Sequence, residues 1–243
     1  MNNYIEYFTN YVFKNYDMSN PLISLKYYHS IRVARIMAMI AKKLNLSEED
    51  IILAFKLGLC HDLGRFYEVV RCGKFNNLGF DHGTYSNKVL YNDGFINYMD
   101  VPNHLLFRKA IYNHNKKDIT KDLDSKEEFF TKLLRDIDKL DILGMMATHR
   151  VFDFSEEPNE VILDSFMKNM TISVRDIHNQ SDLTVFYLSF FKSLNFDINK
   201  DMAINHGCLD NFISIINVNP ERKNLFDDII GSIYEERGKV YVR

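Results

Sequence analysis

Cysteine is scarce in this 243-residue chain, and its three copies, Cys60, Cys72 and Cys208, form neither a C-x-x-C pair nor an even set. That pattern excludes a disulfide framework, suits a reducing, cytoplasmic setting, and leaves the three as buried apolar thiols. Glycine and proline are also few, ten and four, and they stand singly, so neither a low-complexity linker nor an internal repeat marks a domain boundary. No apolar run approaches the ~20 residues needed to cross a bilayer. The opening MNNYIEYFTNYVFKNYDM lacks the basic region and pure apolar stretch of a signal peptide, and its aromatics fall at roughly helical spacing. With a net charge of −3 and both signs interspersed, the chain builds no basic face, which argues against duplex DNA as a partner.

The 46% hydrophobic and 26% charged composition, at this length, fits one globular domain around one core. Over residues 24–44, Val33, Ile36, Ile40 and Leu44 recur at helical steps, and His29 shares their inward line. Ser47 with Asp50 reads as a capping box, and the run from Ile51 to Cys60 is apolar at nearly every position. Such a helix must be buried, and it ends by delivering His61 and Asp62 from within a hydrophobic core. A less regular stretch, rich in Gly and Asn, covers residues 71–82. Helical patterning resumes over 84–97, over 102–113 with Pro102 in the first turn, and over 126–148. Further helices are expected over 159–170, 182–194 and 220–236, the last opened by Asn219 and Pro220. Alternating strands are missing except for a short tail at 239–242. The expected fold is all-α: a single helical domain with a core at about 24–150 and a C-terminal helical extension at about 151–243.

Burying imidazoles and carboxylates among apolar side chains is costly unless each is bonded, paired or bound to a metal. Three separate helices here incur that cost. Asp138 falls on the helical line Leu134, Asp138, Ile142, Met145, whereas Asp136 lies ~200° around the helix and is expected to be solvated or outside the ligand shell. Asp141 is an intermediate position that this geometry leaves open. Two neutral imidazoles with two carboxylates match what a first-row divalent metal prefers, and the end of the apolar helix is expected to add negative potential at His61 and Asp62.

His29, the adjacent pair His61-Asp62 in HDLGRF, and Asp138 in LLRDIDKLD resemble the H…HD…D signature of HD-domain metal-dependent phosphohydrolases. The resemblance covers about residues 27–144. It implies a helical bundle in which His29, His61, Asp62 and Asp138 bind a first metal. His82, in FDHGTYS, and His114, in IYNHN, fall where binuclear members place ligands for a second ion, with Asp62 bridging the two. The implied cofactors are one or two divalent ions from among Mn, Fe, Mg, Zn, Co and Ni. His104, His149, His178 and His206 read as ordinary surface or packing residues.

The resemblance implies water-mediated hydrolysis of a small phosphorylated molecule, with Asp62 and Arg65 as catalytic residues. Arg65 stands where a lysine is usual and offers a fork suited to phosphate, or else forms a salt bridge. Lys139 is a weaker phosphate candidate. Subfamily patterns fit poorly: there is no GYP run, no acidic pair after HD, and Arg65 replaces the glutamate of the deoxynucleotidase type. The same ligand pattern is also similar to that of di-iron HD oxygenases, and a third reading is a metal-stabilised binding module without turnover. Tyr27 and Tyr28 read as core packing, with an aromatic guard over the metal as the alternative.

Overall fold

The computed structural model describes residues 1–77, 79–149 and 152–241. It divides into two compact units, Met1–Asp138 and Lys139–Arg243. The first contains α1 (Asn2–Asn15), α2 (Pro21–Lys43), α3 (Glu48–Cys60), α4 (Leu63–Cys72), α5 (His82–Tyr91), α6 (His104–Asn113) and the start of α7 (Ser125–His149).

Local chemistry sets these starts. Asn20 accepts from the Leu22 amide and Pro21 opens α2, while Ser47 accepts from Asp50 ahead of three first-turn acids, a charge pattern that favours a helix N-terminus. The carboxylate of Asp50 goes to Lys126, at 2.7 Å, so the expected capping box keeps only its serine half. Asn103 caps α6 by accepting from Leu106, which leaves Pro102 outside the helix and not in its first turn. The expected helix over 84–97 ends early: α5 stops at Tyr91, and a separate 3-10 turn, Phe95–Tyr98, follows Gly94 in the left-handed region. α4 arises where no helix was expected, and its last turn is closed by left-handed Gly73.

α2 and α3 form the core of the first unit. Val33, Ala34, Met37, Ala41, Ala54, Leu57 and Leu59 are fully or almost fully buried between them and their neighbours. The backbones approach so closely that a Cβ on Gly58 would lie 2.7 Å from the Ala34 Cα and 2.9 Å from the Val33 carbonyl carbon. Phe8 of α1 stacks on Tyr27 at 5.8 Å between centroids.

The second unit contains the rest of α7, α8 (Glu160–Met167), α9 (Gln180–Lys192), α10 (Asp197–Asn205), α11 (Cys208–Ser214) and α12 (Lys223–Tyr241). Two three-residue strands, β1 (Phe152–Phe154) and β2 (Ile216–Val218), pair in parallel with Phe152 opposite Ile216. They were not expected, and they are too short to give a periodic signal. Phe152, Leu188, Phe191 and Phe212 are fully buried there. Asp182 is buried too, accepting from the backbone amides of Asn159, His178 and Asn179 at 2.8–3.2 Å. The expected strand at 239–242 is not present: α12 runs through Tyr241, and Val242 lies outside the described residues. Asn219 and Pro220 open a 3-10 turn, Pro220–Arg222, which feeds α12. Among the described residues no helix is long and apolar enough to cross a membrane.

Gly58→Ala tests the α2–α3 contact. Alanine would gain about 1 kcal/mol in helix propensity, but the atoms it meets are backbone and cannot turn aside. We expect a net loss of about 1–3 kcal/mol, read as a lower melting temperature; an unchanged or raised value would refute the contact.

Candidate metal centre

His29 sits in the middle of α2, His61 closes α3, and Asp62 stands at the N-cap of α4. All three are buried, and α7 brings Asp138 to meet them. His29 Nε2 lies 3.3 Å from His61 Nε2, 3.5 Å from Asp62 Oδ2 and 3.1 Å from Asp138 Oδ1. His61 Nε2 is 3.5 Å from Asp62 Oδ2 and 3.6 Å from Asp138 Oδ1. On the other side of the same carboxylate, His82 Nε2 and His114 Nε2 are each 3.6 Å from Asp62 Oδ1 and 3.1 Å from one another.

These separations fit a first-row ion. With ligands ~2.1 Å from the metal, the edge of a tetrahedron is about 3.4 Å. The ligand atoms of His29, His61, Asp62 and Asp138 form one group, and those of Asp62, His82 and His114 a second; within each, all lie within 4.8 Å of one another. Proton placement points the same way. His61 Nδ1 sits 2.7 Å from the Gly58 carbonyl and His114 Nδ1 2.6 Å from that of Ile111. A neutral ring that donates from Nδ1 to a carbonyl presents a bare lone pair at Nε2. His61 and His114 thus each turn a ring nitrogen able to accept a cation toward the cluster.

Burial by itself would raise the Asp62 carboxyl; the Lys26 ammonium, followed by His61, His114 and His29, outweighs it and holds the group well below the usual carboxylate range. Asp138 behaves alike, with burial opposed by His29 and His61. His82 is pushed well below the usual histidine value by burial and then by Arg65, and His114 is lowered chiefly by burial. Asp62 and Asp138 are therefore held ionised, and His82 and His114 are held neutral, the forms that bind metal.

Lys26 escaped the reading of the sequence. It is buried and donates to Asp62 Oδ2 at 2.6 Å. The signal was its place three residues before His29, on the same side of α2. Ser86 was missed as well: buried on α5, it donates to the His61 carbonyl at 2.6 Å and accepts from the Gly64 amide at 2.8 Å, pinning the α3–α4 corner. Gly64 permits this approach, since a Cβ there would stand 2.4 Å from the His82 carbonyl oxygen.

Arg65 faces Asp62, with Nε 3.8 Å from Oδ1, but its terminal nitrogens are taken. One donates to fully buried Glu68 at 2.6 Å and the other to Asn76 at 2.9 Å, so the arrangement offers no free fork. Phe75 lies beside both cations, its centroid 5.5 Å from Lys26 Nζ and 5.7 Å from Arg65 Cζ.

Several expectations need correction. Of the two placements expected for Asp136, the solvated one does not hold, since it is fully buried, while its place outside the two ligand groups does; Asp141, left open, does not join those groups either. Asp62 begins α4, so the helix end beside it brings positive rather than negative potential. Tyr27 packs in the core as expected, but Tyr28 is exposed. Lys139 donates to Ser193 at 2.8 Å. His104, His178 and His206 are exposed; the side chain of His149 lies outside the described residues. Cys60 is buried, but Cys72 and Cys208 are only partly so, and all three are free.

Residues 27–146 match the family model of the HD domain, and the chain carries an HD domain over that stretch. HD domains bind divalent metals and are commonly metal-dependent phosphohydrolases. Neither the curated proteins nor the solved structures give a match to this chain.

Two predictions follow from the charges. Lys26→Met removes the nearest cation from a buried carboxylate and should cost about 3 kcal/mol in a metal-free protein; equal melting temperatures for wild type and variant in chelator would show that the pair contributes nothing. For the histidines, depressed folded pKa values mean that the unfolded chain binds more protons below about pH 6.5. The metal-free protein should therefore lose stability between pH 7.5 and 5.5, and a His82→Asn/His114→Asn double variant should lose less. Thermal melts in chelator at the two pH values measure this, and parallel losses would contradict it.

Proposed function

We propose that the chain is a binuclear metal-dependent phosphohydrolase acting on a small phosphorylated molecule. One observation carries the reading: the Asp62 carboxylate turns Oδ2 to His29 and His61 and Oδ1 to His82 and His114. In this reading His29, His61, Asp62 and Asp138 hold the first ion, and Asp62, His82 and His114 hold the second. Four imidazoles favour Mn, Fe, Co, Ni or Zn over Mg, which prefers oxygen ligands. Ions so placed supply a water of lowered pKa and a Lewis-acidic face for a phosphoryl oxygen.

Charge supports an anionic substrate. Asp62, Asp138 and Glu68 against Lys26 and Arg65 leave one negative charge among these groups. Two divalent ions turn that into three positive charges, which a phosphate ester relieves and a neutral polyol does not. Arg65 meets the ester through Nε, a buried nitrogen without a hydrogen-bond partner, while Glu68 and Asn76 hold the rest of the guanidinium still. Lys26 keeps the Asp62 carboxylate aimed at both ligand groups.

The test is phosphate release from p-nitrophenyl phosphate, its bis ester and a nucleotide panel, with each of the five metals supplied in turn. Asp62→Ala should lower the rate at least about 100-fold. If no metal and substrate combination releases phosphate, or if the protein consumes oxygen instead, the hydrolase reading fails.

A further inference from the structure

We propose that the ion pair between Asp81 and Lys116 determines whether the second ion is held, an inference that rests on the binuclear reading above. The two ligands of that half-site, His82 and His114, lie at helix ends and not within helices: His82 is the first residue of α5, and His114 follows the last residue of α6. Their immediate neighbours in the chain join them. Asp81, just before His82, accepts through Oδ2 from Lys116, two residues after His114, and through Oδ1 from Asn115 at 3.0 Å. Lys116 Nζ also donates to Asn115 Oδ1 at 3.0 Å and lies 4.2 Å from the centre of the Tyr112 ring. The Asn115 amide nitrogen in turn stands 3.1 Å from His82 Nδ1. Gly83 makes room, because a Cβ there would come within 2.6 Å of Asn115 Oδ1 and 3.0 Å of the Ile111 and Tyr112 carbonyl oxygens. Arg135 anchors the far side, donating to the carbonyls of Asn113, His114 and Lys116 at 2.6–3.2 Å.

A partly exposed ion pair contributes little to the stability of a fold, and this one is 20% and 42% exposed. Its effect lies in the 3.1 Å separation of the two Nε2 atoms, which depends on the His82 and His114 segments staying together. The first half-site does not use it, since His29, His61 and Asp138 ride on α2, α3 and α7. Asp81 and Lys116 are therefore positioning residues for one ion only.

Cobalt(II) titration of the chelator-stripped full chain, with bound metal counted by mass spectrometry, tests this with three variants. Asp81→Asn keeps a helix-capping side chain but removes the charge. Lys116→Met removes the ammonium, and Lys116→Arg restores a cation. Wild type is expected to take two equivalents. In Asp81→Asn and Lys116→Met the second should bind about 10- to 100-fold more weakly with the first unchanged, and Lys116→Arg should recover it. Metal-free melting temperatures should stay within about 3 °C of wild type. Two undisturbed equivalents in Asp81→Asn and Lys116→Met would overturn this inference alone, and so would equal weakening of both ions. A wild-type protein that takes only one would overturn the binuclear reading and the inference with it.

Discussion

A carboxylate with almost no access to solvent cannot stay charged without neighbours, and the Asp62 group is 2% exposed. Removing such a charge from water costs several kcal/mol even after relaxation. Its surroundings answer that cost from several directions. Lys26 bonds one oxygen at 2.6 Å, Arg65 approaches the other, and four imidazoles stand at 3.5–3.6 Å. Much of the first unit is arranged to permit this. The α3–α4 corner has to turn at this point, Gly64 has to be glycine for α5 to come close, and Ser86 has to satisfy the carbonyl and amide that the corner exposes.

Helix phase was the part of the site that could be read before the structure. It placed His29 on the inward line of α2 and preferred Asp138 to Asp136, and both side chains meet in one cluster. Phase says where a side chain points from its own axis, however, and not how deep its helix lies. Asp136 points away from the cluster yet is fully buried, because α7 is covered on more than one side. Lys26 illustrates the same limit from the other direction. In SLKYYHS a lysine reads as a solvent-facing residue, and only the neighbouring carboxylate from another helix makes its burial favourable.

The missed elements share one cause. α4, α10 and α11 are ten, nine and seven residues long, and the two strands have three each. Over so few residues a hydrophobic period barely repeats, and tertiary contacts decide the conformation. Phe152 and Phe154 show this: two buried aromatics flanking one aspartate are equally compatible with a turn, and they become a strand because Ile216–Val218 offers a parallel partner. The role of Arg65 was also hidden for a tertiary reason, since its binding to Glu68 and Asn76 depends on how the segment after α4 folds back.

Helix ends explain how the centre is held without a dedicated scaffold. Every helix leaves amides free at its start and carbonyls free at its finish, and a buried end must satisfy them. Here the groups that do so also aim the ligands. Asp81 accepts from the Thr84 amide and caps α5 at the residue before His82. Arg135 donates to carbonyls at the end of α6, three residues ahead of Asp138 on the same helix that supplies that ligand. His61 and His114 each donate from Nδ1 to the carbonyl three residues earlier, which satisfies a helix-end acceptor and fixes the tautomer together. The interactions that terminate these helices are therefore also among those that orient the site.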